Sequence, residues 1–220
     1  IYAGAQLGRL NNDARPLFWA QRLYARYSDS APAETGLPPW HHTSLRNFGT
    51  EEEPVPEYAL VNAGSAGFMN NGGVAMLRIG EELGEKGEFY RETMLKHLKA
   101  YAKICYRPEV NLMRQYLIDG TDLAERARKN AKPGAPETDP WPGWSPSPVT
   151  ITAYAICYRQ SGDAEIWEAL RAMCRGNDLG DIGAPGGKVL DLNLATGQSS
   201  YLLIFPLVEL FRATKERGYL

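Results

Sequence analysis

Residues 148–160 and 163–175 both carry the periodicity of amphipathic helices, and only Ser161 and Gly162 separate them. Two residues cannot carry a chain across a domain, so these helices must turn back on each other and pack side by side. Asp163 stands where an N-cap belongs, and Glu165 follows it in the first turn, where a negative charge complements the helix dipole. Once one helical hairpin is fixed, the rest of the chain must supply faces of matching period.

Further segments do so. The spacing predicts a helix over 16–27, after the polar Asn11, Asn12 and Asp13, with Leu17, Trp19, Ala20, Leu23, Tyr24 and Tyr27 on one broad face. A second, over 72–83, carries Val74, Leu77 and Ile79 and stops at Gly84. A third, over 88–106, aligns Met94, Leu95, Leu98, Tyr101, Ala102 and Cys105 and ends before Pro108. Segment 199–215 is apolar almost all round and is therefore expected to be the most buried helix, with Pro206 either kinking it or marking its start. Polar Gly-containing turns recur at 83–89, 160–163 and 214–218, and after the last of these the chain stops where another helix is expected.

Antiparallel hairpins build either a solenoid or a closed α/α toroid. The connections here vary too much in length for a fixed-period solenoid. The expected fold is all-α, a single α/α-toroid domain over 1–220 that forms an incomplete ring, with short β strands in its loops. Apolar surface should show at both open edges. One such strand is expected near 110–118, where Val110, Leu112, Arg114, Tyr116 and Ile118 alternate.

Composition removes several function classes. Lys and Arg number 24 against 26 Asp and Glu, giving a net charge of -2 and no global field for nucleic acid. The longest apolar stretch, 201–210, falls short of the roughly 20 residues of a membrane span. Cys105, Cys157 and Cys174 lie at apolar ends of helical patterns and are expected to be buried free thiols. Neither a phosphate-binding loop nor a GxSxG elbow nor an HExxH motif is present.

Chemistry is therefore sought in the long connections. Segment 28–56 holds Trp40, His41, His42, Arg46 and the acidic run Glu51, Glu52, Glu53. Adjacent histidines diverge in extended chain and do not readily share one metal ion, so the segment suits either plain loop packing or contact with a sugar or carboxylate by Trp40 and one His. His97 belongs inside its helix. Segment 108–144 holds Arg114 and the turn Asp119-Gly120-Thr121-Asp122, whose acids suit Asx caps and turns as well as a polar site. The run 125–132, with Arg126, Arg128, Lys129 and Lys132, is the concentrated positive charge of the chain, either a solvated face or an attractor of an acidic polymer. Trp141 and Trp144, stiffened by Pro140, Pro142, Gly143 and Pro146, suit either a stacking platform for pyranose rings or a structural lid.

The ordered words Gly73-Val74-Ala75-Met76-Leu77, Glu81-Glu82-Leu83-Gly84, Leu98-Lys99-Ala100-Tyr101-Ala102, Asp119-Gly120-Thr121-Asp122-Leu123, Ile166-Trp167-Glu168-Ala169-Leu170 and Asp178-Leu179-Gly180-Asp181-Ile182-Gly183 resemble the C-terminal half of pectate lyases of polysaccharide lyase family 2. Those enzymes are longer α/α toroids, so the resemblance implies a fragment. It also implies cleavage of α-1,4-linked polygalacturonate by β-elimination, an arginine base, and a divalent transition metal such as manganese held by histidines and a glutamate. No arginine-histidine constellation of that kind matches here, because neither His41 nor His42 follows an Arg. The base and metal ligands are accordingly expected upstream of Ile1. What this chain should keep is cleft wall, for which Trp40, His41, Arg114, Asp119, Asp122, Trp141 and Trp144 are the candidate substrate-binding residues. The implied partner is an acidic polysaccharide, with neither nucleic acid nor membrane, and the implied location is periplasmic or cytoplasmic in a bacterium. Two other readings fit the same helices: a uronyl hydrolase or sugar epimerase on this fold, which needs acids or histidines facing a cavity, and a non-catalytic helical interaction module.

Overall fold

The computed structural model describes residues 1–39, 60–61, 69–129, 143–185, 187–188, 191–193 and 201–220. It is mostly helical with a few two-residue strands, the expected all-α class. Helices α1 (Tyr2–Asn11) and α2 (Ala14–Asp29) form a hairpin. Asn12 closes α1 in the left-handed region (φ 52°), and the Asp13 carboxylate caps α2 by accepting from the Arg15 N–H at 2.9 Å. The predicted helix over 16–27 is thus one arm of a hairpin whose first arm the sequence reading did not identify.

A π-helical turn (Met69–Val74) leads into α3 (Ala75–Glu82), a short 3-10 turn (Gly84–Gly87) and α4 (Glu88–Ala100). The two helices cross where Gly87 meets the Gly80 backbone so closely that no Cβ fits at Gly87. α4 does not run on as an α-helix to 106. It widens into a π-helix (Tyr101–Cys105) and turns extended at Tyr106 (ψ 134°).

α6 (Pro148–Ser161) and α7 (Ala164–Gly176) form the predicted hairpin. Ser147 caps α6 by accepting from the Thr150 N–H at 3.2 Å, Gly162 stops it at φ 66°, and Asp163 caps α7. Residues 150–157 of α6 are buried on every face, so this is the central helix.

That corrects one expectation. Segment 199–215 is a 3-10 turn (Tyr201–Leu203) and α8 (Ile204–Thr214), with Pro206 in the first turn, where its missing N–H costs little. Far from being the most buried helix, α8 packs on α6 along one side and exposes Ile204, Phe205 and Val208, as the 3-10 turn before it exposes Tyr201. A helix apolar all round needs partners all round, and among the described residues α8 lacks them on its outer side. The α1–α2 hairpin likewise exposes Leu7, Leu10, Phe18, Trp19 and Leu23. The last turn is not loose either: Tyr219, in a 3-10 turn (Arg217–Tyr219), is buried and donates its hydroxyl to the Ile182 carbonyl at 2.9 Å.

Two polar clusters tie the helices together. Glu209 on α8, 2% exposed, meets Arg159 of α6 at 2.6 Å and Arg78 of α3 at 2.7 Å, while Glu81 meets Arg159 at 2.7 Å. Arg212 adds bonds to both carboxylates. Between α2 and α4, Tyr24 stacks on Tyr90 with centroids 5.5 Å apart, and His97 lies edge-on to Tyr24 and Tyr27. His97 is interior as expected. The three cysteines are buried free thiols, also as expected, and burial pushes each pKa up, that of Cys174 to about 12.

Candidate functional site

The predicted strand over 110–118 is two short strands, β3 (Leu112–Met113) and β4 (Tyr116–Leu117). The left-handed Asn111 (φ 50°) breaks its alternation, so β3 folds back antiparallel on β2 (Tyr106–Arg107), the extension of the α4 run, while β4 pairs with β1 (Leu60–Val61). The strand tips carry the site. Beyond β4 the chain turns at Gly120 (φ 88°), and Asp122 then starts the short helix α5 (Leu123–Lys129).

Asp122 is the hub of this corner. Its Oδ1 accepts from the Ala124 N–H at 2.9 Å and lies 3.4 Å from Arg114 Nη2; its Oδ2 accepts from the Tyr116 hydroxyl at 3.3 Å. The same Tyr116 hydroxyl accepts from Arg107 Nη2, and the Arg107 guanidinium lies over the Tyr116 ring, 5.5 Å from its centroid. Arg107 also donates to the Ile104 carbonyl at 2.9 Å. Burial raises the Tyr116 pKa, Arg107 opposes that rise and Asp122 adds to it, so the hydroxyl stays protonated near neutrality.

Arg107, Tyr116 and Asp122, but not Arg114, open onto a cavity of about 480 Å³, lined also by Gly120, by Thr121 and by Glu125, Arg126 and Lys129 of α5. That volume lies within the usual range of small-molecule sites. Three cations and two carboxylates line it, leaving one excess positive charge.

Of the seven sequence-predicted residues, Arg114 and Asp122 are brought together here. Asp119 does turn work nearby, accepting from the Thr121 N–H at 2.8 Å, and does not line the cavity. Trp144 is held on the same ribbon by paired backbone bonds to Met113, 2.8 and 3.0 Å, and is 40% exposed, but it too does not line the cavity. Trp40, His41 and Trp141 lie outside the described residues. The chain on either side of them is anchored at this corner: Thr35 donates to the Ile118 carbonyl at 2.6 Å, β1 pairs with β4, and Trp144 pairs with Met113.

Arg107, Tyr116 and Arg126 are cavity residues that the sequence reading did not single out as site residues. Arg126 belongs to the run 125–132, whose described charged residues Glu125, Arg126, Arg128 and Lys129 are exposed, in line with a solvated face; Arg126 and Lys129 also border the cavity. For Arg107 and Tyr116 no local pattern exists, because their partnership depends on the β2–β3 fold-back. As for a metal, no group of three or more His, Cys, Asp or Glu among the described residues could hold one. Nor is any described helix long and apolar enough to cross a membrane. Compared with known families, the chain matches the model described as periplasmic pectate lyase over residues 1–220.

Proposed function

Because the chain belongs to the periplasmic pectate lyase family, we propose that it forms part of the substrate cleft of an enzyme that cleaves α-1,4-linked galacturonan by β-elimination. In that reaction a base removes the C5 proton, the C4–O bond breaks, and the pair of electrons becomes a C4=C5 double bond beside the uronate carboxylate. The C5 proton is acidic enough only when charge on the carboxylate is neutralised in the transition state, which is work for fixed cations. The observation that carries the reading is the corner where Arg107, Arg126 and Lys129 share one cavity with the hydroxyls of Tyr116 and Thr121.

No group of three or more His, Cys, Asp or Glu suited to a metal occurs among the described residues; on the strength of the resemblance, we assign the implied divalent ion and the catalytic base to a longer parent chain. The exposed apolar faces of α8 and of the α1–α2 hairpin support a larger ring of helical hairpins. The rival reading of a uronyl hydrolase or sugar epimerase on this fold, working by paired acids, finds less support at this corner. Asp122 is tied to Arg114, Tyr116 and the α5 N-terminus, and Glu125 is paired with Lys129 at 3.1 Å.

The test is to give the longer parent protein polygalacturonate with and without a divalent metal, and to follow the ultraviolet absorbance of the unsaturated product. Metal-dependent product from the parent and none from the isolated 220 residues is the expected result. Metal-dependent cleavage by the isolated chain would return the search for the base to Arg114 and Arg46. Absence of cleavage by the parent would refute the lyase reading.

A further inference from the structure

β2 is two residues long, and its side chains point to opposite sides of the ribbon. Arg107 lines the corner cavity, whereas Tyr106 lines a second cavity, of about 450 Å³, between the α4 run and α7. Two cross-strand pairs with β3 are too few to hold such a ribbon by themselves, so its place must come from tertiary contacts. One of these lies at the fold-back turn. Asn111, left-handed at φ 50°, accepts from the buried Tyr106 hydroxyl at 3.0 Å. Its side chain packs on Gly176, the last residue of α7, so closely that no Cβ fits there. Asparagine meets three demands at once: it tolerates the left-handed backbone, it satisfies a hydroxyl that burial would otherwise leave costly, and it fills the space over a glycine. Tyr106, Asn111 and Gly176 thus join the α4 run, the turn and α7 at one point, next to the residue whose guanidinium faces the cavity.

We infer that Asn111 is a positioning residue for Arg107: held between Tyr106 and Gly176, it fixes the turn to α7 and thereby sets where the Arg107 guanidinium stands. The stacking of Arg107 over the Tyr116 ring and its bond to the Ile104 carbonyl at 2.9 Å both need the ribbon in this place. A turn released from α7 lets the guanidinium leave both partners for solvent. The inference rests on the galacturonan reading for the use made of Arg107, though not for its placement.

The experiment is arginine modification of this chain by phenylglyoxal, mapped by peptide mass spectrometry. Arg159, whose side chain is 14% exposed in the separate Glu209 cluster, serves as the reference. Asn111→Gly keeps the left-handed backbone open but removes the acceptor and the contact, and should raise the ratio of the Arg107 rate to the Arg159 rate several-fold. Gly176→Ala, which pushes on the same turn from α7, should raise it likewise. Asn111→Asp, which keeps the acceptor and the tolerance of a left-handed backbone, should leave the ratio close to that of the unaltered chain. Equal rises at Arg107 and Arg159 would mean general loosening of the fold and would overturn the positioning role. So would an Arg107 rate unmoved by Asn111→Gly and Gly176→Ala, or an Asp variant as reactive as the Gly variant. In the longer lyase proposed above, Asn111→Gly should raise KM for polygalacturonate and Asn111→Asp should not. A raised Arg107 ratio with unchanged cleavage would uphold the positioning role and count against the corner as part of the substrate cleft.

Discussion

The Nε2 of His97 lies 3.1 Å from the Ser28 hydroxyl, joining α4 to the end of α2 where neither group is exposed. Burial, with a smaller contribution from Lys96, pushes the His97 pKa down to about 3, so the folded chain holds this ring neutral. In the unfolded chain the ring titrates near its ordinary value of about 6.5.

A depressed histidine pKa means that the unfolded state takes up the proton first. Stability should therefore be full above about pH 6.5 and fall as pH drops toward 3, by about 1.4 kcal/mol per pH unit once the unfolded ring is protonated. Urea unfolding between pH 7 and pH 5 checks this, because carboxylates contribute little to the slope there. His97→Gln should flatten it; an unchanged slope would count against a neutral His97.

Glu209 has a different fate. Burial would raise its pKa, but Arg78 and Arg159 outweigh that and hold it below the usual carboxylate range. Glu209→Gln leaves three arginines around one remaining carboxylate and should cost about 3 kcal/mol in urea unfolding at pH 7. Glu165→Gln, which removes an exposed partner of Lys99, should cost less than about 0.5 kcal/mol. Similar losses for the two would mean that the Glu209 cluster adds no more than a surface pair.

Gly143 sits at φ 87°, and a Cβ there would press into the Met113 carbonyl. Gly143→Ala should lower stability by about 2 kcal/mol and speed exchange of the Met113 and Trp144 amides, whose bonds form the ribbon. Melting curves and hydrogen exchange read the two effects separately.

Trp144 is expected to matter to substrate more than to the fold. At 40% exposure, its replacement by Ala should change stability by no more than about 0.5 kcal/mol. In the longer lyase proposed above, the same change is expected to raise KM several-fold, from the loss of an aromatic face for a pyranose ring. A large fall in melting temperature with unchanged KM would make Trp144 a structural lid.

How far the sequence reaches is set by where each signal is stored. The α6–α7 hairpin was legible because Ser161, Gly162 and Asp163 write its turn and cap within three residues. α1 was missed because its Gly4 and Gly8 lower helix propensity, yet the structure uses Gly8 for close contact with Leu17 of α2. α8 was misjudged because hydropathy records what a helix can bury, while exposure depends on which neighbours are there. At the candidate site, Asp122 showed itself through its turn and Arg114 through strand alternation. Arg107 did not, since what makes it a site residue is the set of neutral oxygens the fold-back places around it.

The corner at β4 also bears on how such a chain can vary. Segments 40–59 and 130–142 each leave from and return to residues anchored there: Thr35 and β1 on one side, α5 and Trp144 on the other. The end points of both segments are thus fixed by the strand ribbon. A substitution that shifts this ribbon would move Arg107, Arg114 and Asp122 together, so the corner can vary only as one unit while the helices beneath stay as they are.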